Sequence, residues 1–442
     1  MLIRTIREYD TISCEGSPPH ITNNECVSKT CFEWLKNSIY TEGKNSPLKW
    51  VGHNTFKVRN YVGILQSPCG TVIEILPKAL EKQQDAETQA KLRKKLIEMI
   101  CISYRIPLES DSADLQTIRN YPLHEWLLSS FLQQLKKMVL RGLRFTYERV
   151  EEESQYIRGR LDVNKQLRQP AGRQHHFQII HDVFSANRPE NRLLKKALEI
   201  AFKQVKLPSN WQLANELRHM MDEIPASTKP DQDYRAWSDT KLMKSYEAIK
   251  PLCWLIVQKL NPTAQHGAHN GMSLLFPMEK LFEDYVGYCL ELSLPSQYTL
   301  KKQAASLSLC KHGTKNLFKL KPDFIAESQE KSIVLDAKWK LLNSAFCSED
   351  DEEKFDKYGL NQSDFYQMFA YGHKYLPSHG QMFLIYPANE NFKRDTKLAD
   401  FDFSSRDEAK KLTLRVMACD WQAKPQDAFP LWFNSLLDSI QP

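Results

Sequence analysis

Apolar and polar residues follow different rhythms along this chain, and each rhythm predicts a kind of element. The run FKVRNYVGILQSPCGTVIEILPK at 56–78 places two apolar, β-branched segments on either side of Pro68-Cys69-Gly70. That is turn chemistry between two strands, so a hairpin is predicted. The rhythm then becomes helical. Leu92, Leu96, Ile97 and Ile100 share one side of a predicted helix at 86–104. A second helix is predicted at 122–143, with Trp126, Leu127, Phe131, Leu132, Leu135 and Leu140 on its apolar side. From about 150 to 275 the pattern is mostly helical, clearest at 191–205 and at 241–260, the latter kinked or restarted at Pro251. The polar, glycine-containing stretch 261–271 predicts a domain boundary. The last third alternates. A helix at 277–292 is followed by strands near 298–309, 317–326 and 332–338, a helix at 363–375 capped by Ser363, and strands at 381–386 and 412–419. A mixed sheet with helices on its faces is the natural packing for that order. The fold class is therefore multidomain α+β: a β-rich N-terminal region (1–120), a mainly helical middle (121–270) and a C-terminal α/β domain with a mixed sheet (271–442).

The bulk properties narrow the class. A chain of 442 residues exceeds what one core supports, which agrees with two or three domains. The net charge of +6 is compatible with a polyanionic partner, and equally with ordinary solubility. None of the 10 cysteines forms a CxxC pair, so structural zinc is not expected. No apolar segment precedes a small-residue cleavage site near the start, and no stretch of about 20 apolar residues exists to span a membrane. The expectation is a cytoplasmic protein with reduced cysteines and no membrane association.

One stretch carries chemistry. Asp336 and Lys338 follow the apolar β run Ile333-Val334-Leu335, and residues two apart on a strand point the same way. The preceding strand, Leu317 to Lys321, leads into Pro322-Asp323, and a hairpin turning at 327–331 can bring Asp323 beside Asp336. Two carboxylates and a lysine on one sheet face suit Mg2+ and the cutting of a phosphodiester, where a cation neutralises developing charge and activates water. A bare DxK pattern is weak: Asp239-Thr240-Lys241 and Asp395-Thr396-Lys397 also fit, but neither follows an apolar strand. The plain alternative is an edge-strand salt bridge between Asp336 and Lys338. Against it stands the cost of burying charge without a task. Upstream, Glu279 and Glu283 lie four apart on one side of a helix, and Glu283 is the better placed to support a metal. Downstream, Gln367 and Tyr371 are also four apart, on a helix that carries a packed aromatic stripe of Phe365, Phe369 and Tyr375. The acidic run 349–353 reads as a surface loop, because five adjacent carboxylates cannot converge on one ion. The basic residues Arg158, Arg160, Lys165, Arg168 and Arg173 suit DNA phosphates or a solvated face equally well.

Taken together, these residues resemble the PD-(D/E)xK nuclease superfamily, in the branch with an added QxxxY helix. The wider pattern resembles the McrC family, the nuclease subunit of modification-dependent restriction systems. The matching pieces are YVGILQ and GTVIEILPK (61–78), IRGRLDVNKQL (157–167), ENRLLKKAL (190–198), MEKLFEDYV (278–286), KPDF and VLDAKWK (321–340) and DFYQMFAYGHKY (364–375). The first ~50 residues match no motif of the family. The resemblance implies a restriction-endonuclease-like fold for the C-terminal domain. It implies Mg2+, with Mn2+ as a substitute, held by Asp323, Asp336 and the Ala337 carbonyl and supported by Glu283. Lys338 would position water and steady the phosphate, and Gln367 and Tyr371 would orient the site. It further implies DNA as substrate and an AAA+ GTPase of McrB type as partner, stimulated through the N-terminal region. No GxxxxGK[ST] loop occurs in the chain, so no nucleotide is expected to bind it directly. The competing readings are a catalytically silent adaptor that activates a GTPase, a DNA-binding protein without metal chemistry, and a repair nuclease of the same superfamily.

Overall fold

The computed structural model describes residues 2–15, 24–42, 46–52, 54–78, 86–107, 122–173, 175–260, 272–304, 307–329, 331–342, 358–377, 379–403 and 411–439. The expected boundary at 261–271 and the acidic run at 349–353 lie outside these residues. The chain forms two compact units, one made of residues 1–110 with 275–442 and the other of residues 111–274. The N-terminal and C-terminal regions, which the sequence suggests as separate domains, therefore pack as one body.

The N-terminal strands are β1 (Leu2–Arg7), β2 (Thr11–Cys14), β3 (Asn24–Val27), β4 (Leu48–Gly52), β5 (Thr55–Val58), β6 (Tyr61–Gln66) and β7 (Thr71–Leu76). The predicted hairpin is β6–β7, antiparallel with Gly63 opposite Ile75. Its turn closes through the Gly70 N–H donating to the Ser67 carbonyl at 3.0 Å, with Gly70 at φ 85° in the left-handed region that glycine enters without a Cβ clash. All six residues of β7 are buried, as a strand covered on both faces requires. Glu74 on this strand is fully buried and takes a two-point ion pair from Arg93, at 2.8 and 2.6 Å. The arginine comes from the helix Ala86–Tyr104, so the ion pair joins helix to strand.

Helices predominate in the second unit, and it also holds strands that the sequence pattern did not announce. The helices Leu123–Arg141, Pro189–Gln204, Pro208–Met220 and Lys250–Lys259 are present, but so is a three-stranded sheet. Its strands are β8 (Thr146–Ser154), β9 (Arg160–Leu161) and β10 (Phe177–Ser185), in the order β8-β10-β9. β8 reads TYERVEEES and is mostly exposed, so it lacks the in-out apolar alternation by which strands are recognised. Lys165 and Arg173, part of the basic stretch, pair with Glu151 and Glu153 of β8, so this is not a bare cationic face.

The first unit resumes at Leu275, within β11 (Met272–Pro277), which joins the N-terminal sheet in the order β1-β7-β6-β11 and runs straight into the helix Met278–Ser293. Beyond it lie β12 (Thr299–Lys302), β13 (Ser308–His312), β14 (Lys315–Lys319), β15 (Phe324–Glu327), β16 (Ser332–Ala337), β17 (His379–Pro387), β18 (Phe401–Phe403) and β19 (Lys411–Cys419). The main sheet runs β12-β15-β16-β17-β19-β18, with β16, β17 and β19 parallel and the others antiparallel, which is the expected mixed sheet. The strands expected at 298–309 and 317–326 are each broken, because β13 and β14 leave the sheet as a separate exposed hairpin. The helix Gln362–Tyr375 covers one face, where Met368 and Tyr371 pack with Val334, Met382 and Leu384. It starts after Asn361, and no side chain caps it, so Ser363 lies within its first turn rather than at the cap.

Candidate active site

The turn between β15 and β16 sets the register Phe324↔Leu335, which places Asp323 and Asp336 opposite each other at the open end of the hairpin. The link is visible in the backbone: the Ala337 N–H donates to Asp323 Oδ2 at 2.9 Å. Asp336 is only 1% exposed, and Lys338 Nζ lies 2.8 Å from its Oδ2. Among the described residues neither Asp336 oxygen receives a well-directed hydrogen bond, so the ammonium offsets its charge without satisfying its lone pairs. Lys338 Nζ also donates to Gln367 Oε1 at 3.1 Å. Gln367 Nε2 donates to the Tyr371 hydroxyl at 2.7 Å, and that hydroxyl donates to the Lys321 carbonyl at 2.9 Å. A continuous hydrogen-bonded chain therefore runs from the lysine, through the helix Gln362–Tyr375, back to the residues just before Asp323. Residues i and i+4 on a helix share a side, which is why Gln367 and Tyr371 reach the same place.

Electrostatics mark the spot. Burial, and then the facing Asp336 charge, push the Asp323 carboxyl up to about 7, against the pull of the Ala337 N–H. Burial also raises Asp336, although Lys338 opposes it. Lys338 stays above the usual ammonium value because the adjacent carboxylate outweighs its partial burial. Two carboxylates that resist losing both protons at neutral pH are a pair that lacks positive charge.

The structure separates the two glutamates of the helix Met278–Ser293. Glu283 accepts from Gln303 Nε2 at 2.8 Å, and its charge raises both aspartates. Glu279 instead accepts from Asn60 Nδ2 at 2.5 Å and lies near Glu8. Glu283 bears on the aspartates through its charge, from the helix that packs against Phe324. Phe324, which points away from Asp323, packs so close to Gly287 of this helix that an added Cβ would sit 2.8 Å from its ring. That approach stops short of a closed cluster. Among the described residues, no three His, Cys, Asp or Glu side chains converge at metal-holding distance.

Gln303 was not legible in the sequence. Its backbone N–H donates to the Asp323 carbonyl at 2.8 Å while its side chain holds Glu283, and its φ of 48° is a left-handed conformation unusual for a residue with a Cβ. Asp364, in the first turn of the helix Gln362–Tyr375, is a further charge on Asp336 and accepts from the Tyr386 hydroxyl at 3.1 Å. The aromatic stripe expected on that helix is also present: Phe365 packs on Phe401 and Phe403, and Phe369 on Phe403. The alternative DxK sites do not gather such neighbours. Asp239 pairs with Lys250, and Asp395 with Arg394.

Comparison with known protein families identifies the chain as a restriction-system component. The model of the family described as "McrBC 5-methylcytosine restriction system component" matches residues 56–387, and the chain belongs to that family. The match begins where the first recognisable hairpin of the sequence begins. Over 300 residues the chain is 25% identical to the type IV methyl-directed restriction enzyme EcoKMcrBC of Escherichia coli (strain K12), covering 63% of this chain and 80% of that protein. A solved half-complex of Thermococcus gammatolerans McrB AAA+ hexamers with bound McrC contains a chain of similar fold. The TM-score is 0.69 at 18% identity, over 99% of this chain and 100% of that one. Among the described residues, no helix is long and apolar enough to cross a membrane.

Proposed function

We propose that this chain is the DNA-cutting subunit of a modification-dependent restriction complex, with a nuclease site of PD-(D/E)xK type at the open end of the β15–β16 hairpin. The observation that carries the reading is the facing pair Asp323–Asp336, with Lys338 ion-paired to one and tied to Gln367. The residues fit a hard divalent cation. The buried Asp336 oxygens lack well-directed donors, the facing carboxylates repel, and Mg2+ needs only one or two carboxylates because it keeps several waters. Asp323, Asp336 and the Ala337 carbonyl would hold Mg2+ or Mn2+, with Glu283 supporting from the helix through a water. When bound, the cation supplies charge neutralisation at the scissile phosphate and a water of lowered pKa. Lys338 holds the attacking water in line and steadies the negative charge that develops on the phosphate. Gln367 and Tyr371 fix the lysine's direction, and Gln303 holds Glu283 against the backbone of Asp323.

The partner in this reading is an AAA+ GTPase of McrB type, which this chain stimulates and which supplies nucleotide hydrolysis. The family match and the likeness to a fold found in an McrB–McrC assembly support it. The test is cleavage of cytosine-methylated plasmid by the full chain with its GTPase, GTP and Mg2+, comparing wild type with Asp336→Ala. Cutting by wild type alone supports the site. Equal cutting by both moves the chemistry elsewhere. No cutting by either, with GTP hydrolysis still stimulated, replaces the nuclease with an adaptor.

A further inference from the structure

Trp339 directly follows Lys338, and the N-terminal region holds it. Its indole N–H donates to Glu8 Oε2 at 2.9 Å, and the Lys78 backbone N–H donates to the same oxygen at 3.1 Å. Lys78 Nζ donates to the Trp339 carbonyl at 3.3 Å and sits 5.5 Å from the centre of its ring. Glu8 and Trp339 are both buried. On its other sides the indole packs against Phe282 at 5.1 Å and Trp421 at 5.5 Å between ring centres. Phe282 is the residue before Glu283. One indole therefore touches the sequence neighbour of Glu283 and is itself the neighbour of Lys338.

Glu8 is costly where it stands. Its Oε1 has no hydrogen-bond donor among the described residues, and a buried, half-satisfied carboxylate is less favourable than an amide or an apolar side chain of similar size. A residue that breaks the packing rules beside a reactive site is where a functional constraint is expected. We propose that Glu8, together with Lys78, is a positioning residue for the site: it fixes the Trp339 indole, and through it the direction of Lys338 and the placement of the Phe282–Glu283 turn. This rests on the nuclease reading. It makes the strand end at Glu8 and the segment at Lys78 part of the cutting apparatus rather than an appended arm.

The experiment uses the full chain with its GTPase, GTP, Mg2+ and cytosine-methylated plasmid, comparing wild type, Glu8→Ala, Glu8→Gln, Trp339→Phe and Asp336→Ala. Glu8→Ala is expected to lower kcat by about tenfold to a hundredfold with little change in KM for DNA, as misplacement of a catalytic group does. Glu8→Gln keeps an acceptor for the indole and recovers most of the rate, which a role resting on the carboxylate's charge does not predict. Trp339→Phe removes the indole N–H together with part of the ring's packing on Phe282 and Trp421, slows at least as much as Glu8→Ala, and a double variant of the two is no slower than Trp339→Phe alone. If Glu8→Ala does not fold, Trp339→Phe and Glu8→Gln carry the test. A kcat for Trp339→Phe and Glu8→Ala within about twofold of wild type overturns the proposal, as does Glu8→Gln no faster than Glu8→Ala. If wild type itself does not cut, the nuclease reading fails. If only Asp336→Ala is inactive, that reading stands and the positioning role alone falls.

Discussion

Asp323 and Asp336 face each other across the β15–β16 pair, and the Ala337 N–H of the same step donates to Asp323 Oδ2 at 2.9 Å. One buried and one half-buried carboxylate in that relation repel each other, and in the proposed reading a bound cation relieves that repulsion. Asp323→Asn is therefore expected to raise the unfolding temperature in EDTA and to abolish the further rise that Mg2+ gives wild type. At a hundred times its dissociation constant, bound Mg2+ is worth about 2.7 kcal/mol. Thermal unfolding with and without Mg2+ checks both halves. A variant still stabilised by Mg2+ like wild type removes Asp323 from the cation's environment.

Gln303 combines a left-handed backbone with the amide that holds Glu283. Replacing it with glycine removes the Cβ strain and the amide together. Gln303→Gly is expected to keep wild-type stability or gain up to about 1 kcal/mol. Its cleavage rate should fall about tenfold, which corresponds to about 1.4 kcal/mol of lost positioning. Loss of stability with unchanged cutting would show that the residue serves only the fold.

Gly372 lies on the same helix as Gln367 and Tyr371, at its closest approach to the sheet. A Cβ there would meet Met382 Sδ at 2.5 Å and Leu412 Cδ1 at 3.0 Å, both in the buried core. Alanine gains about 1 kcal/mol of helix propensity over glycine but overpacks the contact at about 1–3 kcal/mol. The 2.5 Å approach to Met382 puts the packing cost at the upper end, so Gly372→Ala is expected to lower stability by up to about 2 kcal/mol and slow cleavage by tilting Gln367. Urea unfolding and initial cutting rates measure the two effects.

Glu8 gives the apo chain a pH signature. Burial, opposed by Lys78, pushes its carboxyl from 4.5 up to about 7. A pKa raised on folding favours the native state below the unfolded value, and that advantage is lost as pH rises through the folded value. Between about pH 4.5 and 7 the native state loses on the order of 3 kcal/mol from this group. Glu8→Gln is expected to flatten that part of the profile, measured by urea unfolding across the range. Lys78, which burial holds below the usual lysine value, loses a counter-charge in the variant, so the gain at higher pH is smaller than the flattening alone suggests. An unchanged profile would mean that Glu8 is ionised throughout.

The sequence determined whatever depends on strand alternation and nearest neighbours. An apolar run ending in Asp336-Ala337-Lys338 puts the acid and the lysine on one face in any strand, and a short polar turn returns Asp323 to it. The β6–β7 hairpin and the pairing of Gln367 with Tyr371 were legible for the same reason, since periods of 2 and 3.6 are written in the chain itself. Tertiary structure decided the rest, because those periods carry no information about which surfaces meet. Glu279 and Glu283 are equivalent on a helical wheel, and only packing against β15 and Asn60 sends one to the aspartates and the other to Glu8's neighbourhood. Gln303 stands in a polar stretch with no periodic signal, and its role comes from a backbone turn that meets Glu283 twenty residues away. The sheet β8-β10-β9 escaped notice because exposed strands lack apolar alternation. The contact between Glu8 and Trp339 spans 331 positions, and only the folding of the N-terminal strands onto the C-terminal sheet brings it about.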